Sequence, residues 1–299
     1  RHTETSFEYG VEVTAHDAEG NRFSGYWWDA TPMLKDLNIK DCGETAFKRA
    51  MSQIGPVAVE SGKYNMVIDS EVASRLVTPV LNALGGYSLQ QKNSFLLDSL
   101  GKKIFPEWLN IWDKPVSVGE TGSRLFDSEG VATSETPIIE KGVVKEYFVN
   151  TYMSRKMGVM PTVEDATRPV LLACIAPSVA CKVSSTSSET SRISVTEPFT
   201  SVAELVEATC GKTELMRLVG DGILVTGFNG GNSNSATGDF SFGVEGFLFK
   251  DGKVVHPVRE MLITGNLLTL WNNLLAVGND ARFCKSKLIP TLAFGNVDF

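Results

Sequence analysis

The stretch Lys250-Asp-Gly-Lys253 constrains this chain more tightly than any other short segment. It separates two runs, 239–249 and 254–262, that are rich in apolar residues, and an Asp-Gly step readily adopts the positive φ angles of a tight hairpin turn. The two runs must therefore pair antiparallel. Residues 7–16 and 22–28 flank Asp17-Ala-Glu-Gly20 in the same way, and 136–139 and 143–149 flank Glu140-Lys-Gly142. Further strands are predicted at 64–68, 222–228 and around 288–294, with several short ones between 94 and 149.

Helical signals stand singly between these groups. Residues 43–53 carry apolar side chains at helical spacing and are stopped by Pro56. After Asp69 and Ser70, read as an N-cap, Val72, Ala73, Leu76, Val77, Val80, Leu81 and Leu84 trace one helix face up to Gly85-Gly86. Residues 150–157 read as a short helix, 200–219 as a helix broken at Gly211, and 264–277 as an amphipathic helix. The stretch 161–197, rich in Pro, Ser and Thr, reads as surface loop around one strand. Hairpin-joined strands with interspersed helices predict an α+β fold, a large and mostly antiparallel sheet with flanking helices. We divide the chain into a segment 1–62, holding the opening hairpin and helix, and a domain 63–299.

Composition narrows the function classes. With 28 basic and 35 acidic residues the net charge is −7, and no block of Lys or Arg offers a phosphate backbone a landing site. Nucleic acid is not an expected partner. The longest apolar stretches, 222–228 and 267–277, fall well short of the ~20 residues that cross a bilayer, so no membrane span is expected. Five scattered cysteines, Cys42, Cys174, Cys181, Cys210 and Cys284, fit a reducing compartment better than a disulfide framework, which points to the cytoplasm. The chain opens at Arg1 on a hairpin already under way and reads as a fragment or processed product.

The candidate chemistry is sparse. A catalytic zinc needs convergent imidazoles or thiolates, whereas His2, His16 and His256 lie far apart and no CxxC pair exists; Cys174 and Cys181 are seven residues apart. Ser241 sits in Asp239-Phe-Ser-Phe-Gly243, near a nucleophile-elbow frame, and His256 would be its base; the alternative is an ordinary strand residue. Asp98-Ser-Leu-Gly101 and Asp127-Ser-Glu-Gly130 resemble the aspartate motifs of acid proteases but have one residue too many before the glycine, and Asx-turns explain them more simply. Gly211-Lys-Thr213 lacks the first glycine of a phosphate loop. The stretch 230–238, almost entirely Gly, Asn, Ser and Thr, suits a binding loop or a long tight connection equally.

The run Thr226-Gly-Phe-Asn-Gly-Gly-Asn-Ser-Asn-Ser-Ala-Thr-Gly-Asp-Phe-Ser-Phe-Gly243, followed by Gly246-Phe247, His256-Pro-Val-Arg-Glu260, Ile263-Thr-Gly-Asn266 and Val277-Gly-Asn-Asp280, resembles the C-terminal domain of the TldD/PmbA family, also called modulators of DNA gyrase. Ser94-Phe-Leu-Leu-Asp-Ser-Leu-Gly-Lys102 and Phe126-Asp-Ser-Glu-Gly130 are similar to it as well. The resemblance spans essentially the whole chain and implies a further N-terminal domain in full members. It also implies a cytoplasmic metalloprotease system. In it a TldD subunit holds zinc through an H-E-x-x-x-H helix and pairs with a PmbA (TldE) subunit that lacks the motif. By that resemblance Thr78, Pro79 and Ala83 stand where His, Glu and His would be, so neither ligand nor general base is present and Pro79 should bend the helix. By the same resemblance Cys284 falls roughly where TldD places a thiolate ligand, and without imidazole partners it is read as vestigial or unrelated.

The resemblance therefore implies a non-catalytic PmbA/TldE-like subunit, with no cofactor of its own and zinc only in a TldD-like partner. It would help enclose unfolded peptide or protein and would allow a two-fold homodimer in isolation. The residues expected to face the peptide are Asn229, Gly230, Gly231, Asn232, Gly238, Asp239, Ser241 and Asn266. The alternatives are a self-sufficient hydrolase built on Ser241 and His256, and a regulatory protein that binds DNA gyrase.

Overall fold

The computed structural model describes residues 3–179 and 211–299. The chain opens with β1 (Phe7–His16), β2 (Arg22–Thr31) and α1 (Cys42–Ser52), then β3 (Lys63–Ile68), α2 (Ser74–Ala83) and α3 (Gly86–Gln90). Next come β4 (Ile111–Asp113), β5 (Thr136–Glu140), β6 (Val143–Val144), α4 (Thr151–Met157), β7 (Pro169–Leu171) and β8 (Cys174–Ile175). The remainder is α5 (Lys212–Val219), β9 (Gly222–Ser233), β10 (Asp239–Lys250), β11 (Lys253–Asn266), α6 (Leu267–Asn272), β12 (Leu274–Val277) and β13 (Leu292–Asp298). No helix among them is long and apolar enough to cross a membrane.

The α+β reading holds. The central sheet has seven strands in the order β11-β10-β9-β3-β13-β12-β8, antiparallel throughout except for the β3–β9 pair. Thr264 of β11 also meets Asp298 of β13, which closes β11, β10, β9, β3 and β13 into a ring. A second antiparallel sheet, β6-β5-β4-β7, packs nearby, and β1 and β2 form a separate hairpin under α1.

Side-chain alternation explains why the sheet is covered on both faces. On β3, Met66 and Ile68 join one apolar cluster with Leu76, Val77 and Val80 of α2, while Val67 between them joins another with Leu215 and Met216 of α5. Strand β9 repeats the pattern with Ile223 and Val225 on one face and Leu224 on the other. A helix on each face is what such doubly apolar strands require.

Several expectations are corrected. The predicted helix 264–277 is instead the end of β11, the short helix α6 and the strand β12. Leu267, Leu270, Trp271 and Leu274 do share helical spacing, yet β12 finds backbone partners in β13 and β8, and long-range pairing overrides the local period. The stretch 230–238 is not all loop, because β9 runs to Ser233 against β10. The ladder after the 140–142 turn stops at Val144, and the last strand begins at Leu292 rather than near 288. Asp69 does not cap α2 directly. Its carboxylate accepts the Glu71 N–H (3.0 Å) and its carbonyl those of Val72 and Ala73, which makes a turn ahead of the helix. Within 161–197 two short strands, β7 and β8, replace the one expected, and the part of that stretch beyond 179 lies outside the described residues, as do 200–210.

Candidate functional site

Strand β9 changes partners halfway along. Its pairing with β3 ends at Ile68↔Val225, where the Asp69 N–H donates to the Val225 carbonyl (3.0 Å) and the chain turns toward α2. Beyond that point residues 226–233 are paired only on the β10 side. Between this free edge and α2 lies a groove of about 830 Å³, lined by Ser74, Arg75, Thr78, Pro79 and Asn82 of the helix and by Phe228, Gly230, Gly231, Asn232 and Ser233 of the strand.

The edge is shaped by a bulge. Gly231 opposes Phe242 and Phe228 opposes Val244, so β9 carries one residue more than β10 across this interval. Gly230 and Gly231 take φ values of 113° and 88°, and a Cβ on Gly231 would lie 2.1 Å from the Ser241 carbonyl oxygen. Only glycine fits there. The Gly231 carbonyl accepts a hydrogen bond from Arg75 Nη2 (3.1 Å), and the same guanidinium sits 5.2 Å from the centroid of the buried Phe242 ring.

The other peptide-facing candidates are dispersed. Asn229 donates to Glu245 Oε2 (3.2 Å). Gly238, with φ of 81°, closes the turn into β10. Asn266 Nδ2 donates to the Thr237 carbonyl (2.8 Å) and to Asp239 Oδ1 (2.9 Å), and its Oδ1 accepts the Leu268 N–H as the N-cap of α6. Asp239 is held below the usual carboxylate range by the Asn266 amide and the Thr237 hydroxyl. These three residues tie the start of β10 to the end of β11.

Ser241 lies between Asn232 and Thr264 on β10, whereas His256 is opposite Leu248. Seven residues of extended chain separate Ser241 from Leu248, about 23 Å of strand rise. Ser241 and His256 are therefore not brought together. Asp127 accepts the Glu129 and Val131 N–H groups in the expected Asx-turn (3.0 and 2.8 Å). Lys212 of the would-be phosphate loop is engaged with Asp69 at 2.7 Å.

The positions aligned with a zinc motif do not fit a zinc ion. Thr78 Oγ1 donates to the Ser74 carbonyl (2.9 Å) and accepts from the Lys287 ammonium (3.0 Å), so its one oxygen already faces a cation. Ala83 is buried, and Pro79 leaves the Arg75 carbonyl without its helical donor. Among the described residues no three His, Cys, Asp or Glu side chains gather to hold a metal. Burial pushes the Cys284 thiol up, against the nearby Arg282 charge.

Residues 61–299 match the PmbA/TldA metallopeptidase C-terminal domain. The chain belongs to this family. A metalloprotease PmbA homolog of Haemophilus influenzae is 31% identical over 238 residues, covering 80% of this chain and 46% of that protein. The chain thus spans about half the length of that relative. The crystal structure of a modulator of DNA gyrase from Bacteroides thetaiotaomicron superposes with a TM-score of 0.84 at 41% identity, covering 98% of this chain and 59% of that one. TldE from Thermococcus kodakarensis, at 19% identity, shares the fold with a TM-score of 0.76, covering 98% and 62%. In this PmbA/TldA domain the groove gathers Thr78 and Pro79 with Gly230, Gly231 and Asn232, two sets picked out separately in the sequence. Sequence reading passed over Arg75. Its signal was available, since it sits three and four residues before Thr78 and Pro79 and so shares their helix face.

Proposed function

We propose that this chain is the peptide-holding part of a PmbA/TldE-like subunit in a cytoplasmic metalloprotease system, non-catalytic by itself and paired with a zinc-bearing TldD-like partner. The observation that carries this reading is the free edge of β9, residues 226–233, facing a groove beside α2. An unpaired strand edge accepts an extended chain through main-chain hydrogen bonds, which tolerate varied sequence, as unfolded peptides and proteins require. The assignment of zinc to the partner rests on Thr78, Pro79 and Ala83, which supply neither imidazole nor carboxylate. The cytoplasmic placement rests on the scattered cysteines. Since such pairs are built from similar subunits, the isolated subunit forms a two-fold homodimer in this reading.

The test is reconstitution. Purified protein is mixed with an unfolded substrate in the presence and absence of a TldD homologue. Cleavage is expected only with both subunits and is expected to stop on chelation. Chelator-sensitive cleavage by this chain alone would overturn the assignment. Retention of a topoisomerase, and not of a protease subunit, in a pull-down would favour a regulatory protein instead.

A further inference from the structure

The groove between α2 and β9 is lined by polar and apolar side chains and by one charged residue, Arg75. No carboxylate lines it. Arg75 is exposed, and among the described residues it has no acidic partner. Yet it is not a loose surface side chain. Its guanidinium rests against the Phe242 ring at 5.2 Å and spends one N–H on the Gly231 carbonyl at 3.1 Å, and as an exposed group it keeps further donors open to a ligand. Thr78, also on the groove wall, receives a hydrogen bond from a second cation, Lys287.

A planar, pre-positioned guanidinium with spare donors matches a carboxylate in two-pronged geometry. The source of that carboxylate follows from where the guanidinium lies. It stands over a sheet-face ring, and in a strand added to β9 every second side chain projects onto that face. We infer that Arg75 selects extended polypeptide segments bearing an Asp or Glu side chain. The inference rests on the strand-edge reading above and adds a side-chain preference to it.

The test uses the intact chain and fluorescence anisotropy at low salt. The probes are ten-residue peptides of Ser, Thr and Val, blocked at both ends, with a central Glu or a central Gln, together with the Gln peptide carrying a free C-terminus. The Glu peptide is expected to bind roughly five- to tenfold more tightly than the blocked Gln peptide, the range between an exposed ion pair and a charge-assisted hydrogen bond. In Arg75→Met that ratio is expected to fall to about one, and in Arg75→Lys to an intermediate value. Thermal unfolding of each variant separates a lost preference from a lost fold. Equal binding of Glu and Gln peptides by the unaltered chain, a Glu preference that survives Arg75→Met, or tightening confined to the free C-terminus would each overturn the inference while leaving the strand-edge reading intact. Binding of none of the peptides would overturn both.

Discussion

Lys212 Nζ lies 2.7 Å from Asp69 Oδ2, an ion pair that joins α5 to the turn where β3 hands over to α2. The Asp69 side chain is 5% exposed, and Arg49 approaches the same oxygen at 3.9 Å. This turn is what ends the β3–β9 ladder, so the pair stabilises the point at which the β9 edge becomes free. Burial alone would raise the Asp69 pKa, but the Lys212 charge, the Glu71 N–H and Arg49 together hold it below its ordinary 3.8.

The first prediction follows from that carboxylate. Lys212→Met should cost about 1–3 kcal/mol at pH 7, between the values for exposed and fully buried pairs. Because the folded pKa is depressed, the stabilisation is complete above 3.8 and is lost as the pH falls below it through the folded value. Urea unfolding from pH 7 to 2 should show Asp69→Asn less stable than the unaltered chain at neutrality. The gap should close only in the acid range. A gap that closes between pH 5 and 7 would contradict this.

A second prediction separates two adjacent glycines. Gly230→Ala meets no atom within 4 Å and suffers only from its φ of 113°, whereas Gly231→Ala adds a Cβ 2.1 Å from the Ser241 carbonyl oxygen at a φ of 88°. Backbone strain alone is worth about 1–3 kcal/mol. Gly231→Ala should therefore be the more destabilising of the two, and it should also weaken binding of blocked extended peptides, because the displaced carbonyl is the one Arg75 holds. Parallel melting curves and anisotropy titrations check the order; equal losses at the two sites would refute it.

The third concerns thiol chemistry. Burial pushes the Cys174 thiol up to about 12, with a small opposing effect from the Val277 backbone, so almost none of it is thiolate at pH 8. Iodoacetamide at pH 8 should leave Cys174 unmodified in the native protein and label it after denaturation, as read by peptide mass mapping. Rapid native labelling would show that the β8–β12 edge opens.

Much of the fold was legible because its signals are local. Asp251 and Gly252 do adopt φ of 48° and 68°, so the 250–253 turn was readable from two residues. The hairpin of β1 and β2, the strand β3 and the apolar face of α2 followed from period and punctuation in the same way. Leu274–Val277 misled because four residues cannot announce whether they will continue a helix or join a sheet. Asn266 shows a related limit: in sequence a cap and a ligand-binding amide look identical, and only the structure shows that its Oδ1 accepts the Leu268 N–H.

Sequence alone determined the antiparallel hairpins, the family, and the lack of imidazole or carboxylate at Thr78, Pro79 and Ala83, since these depend only on adjacent residues and on side-chain chemistry. Tertiary structure decided which edge stays open and what watches over it. Where β3 leaves β9 is set by packing between segments far apart in the chain, and only that packing brings Arg75 to the Gly231 carbonyl beside an unpaired strand.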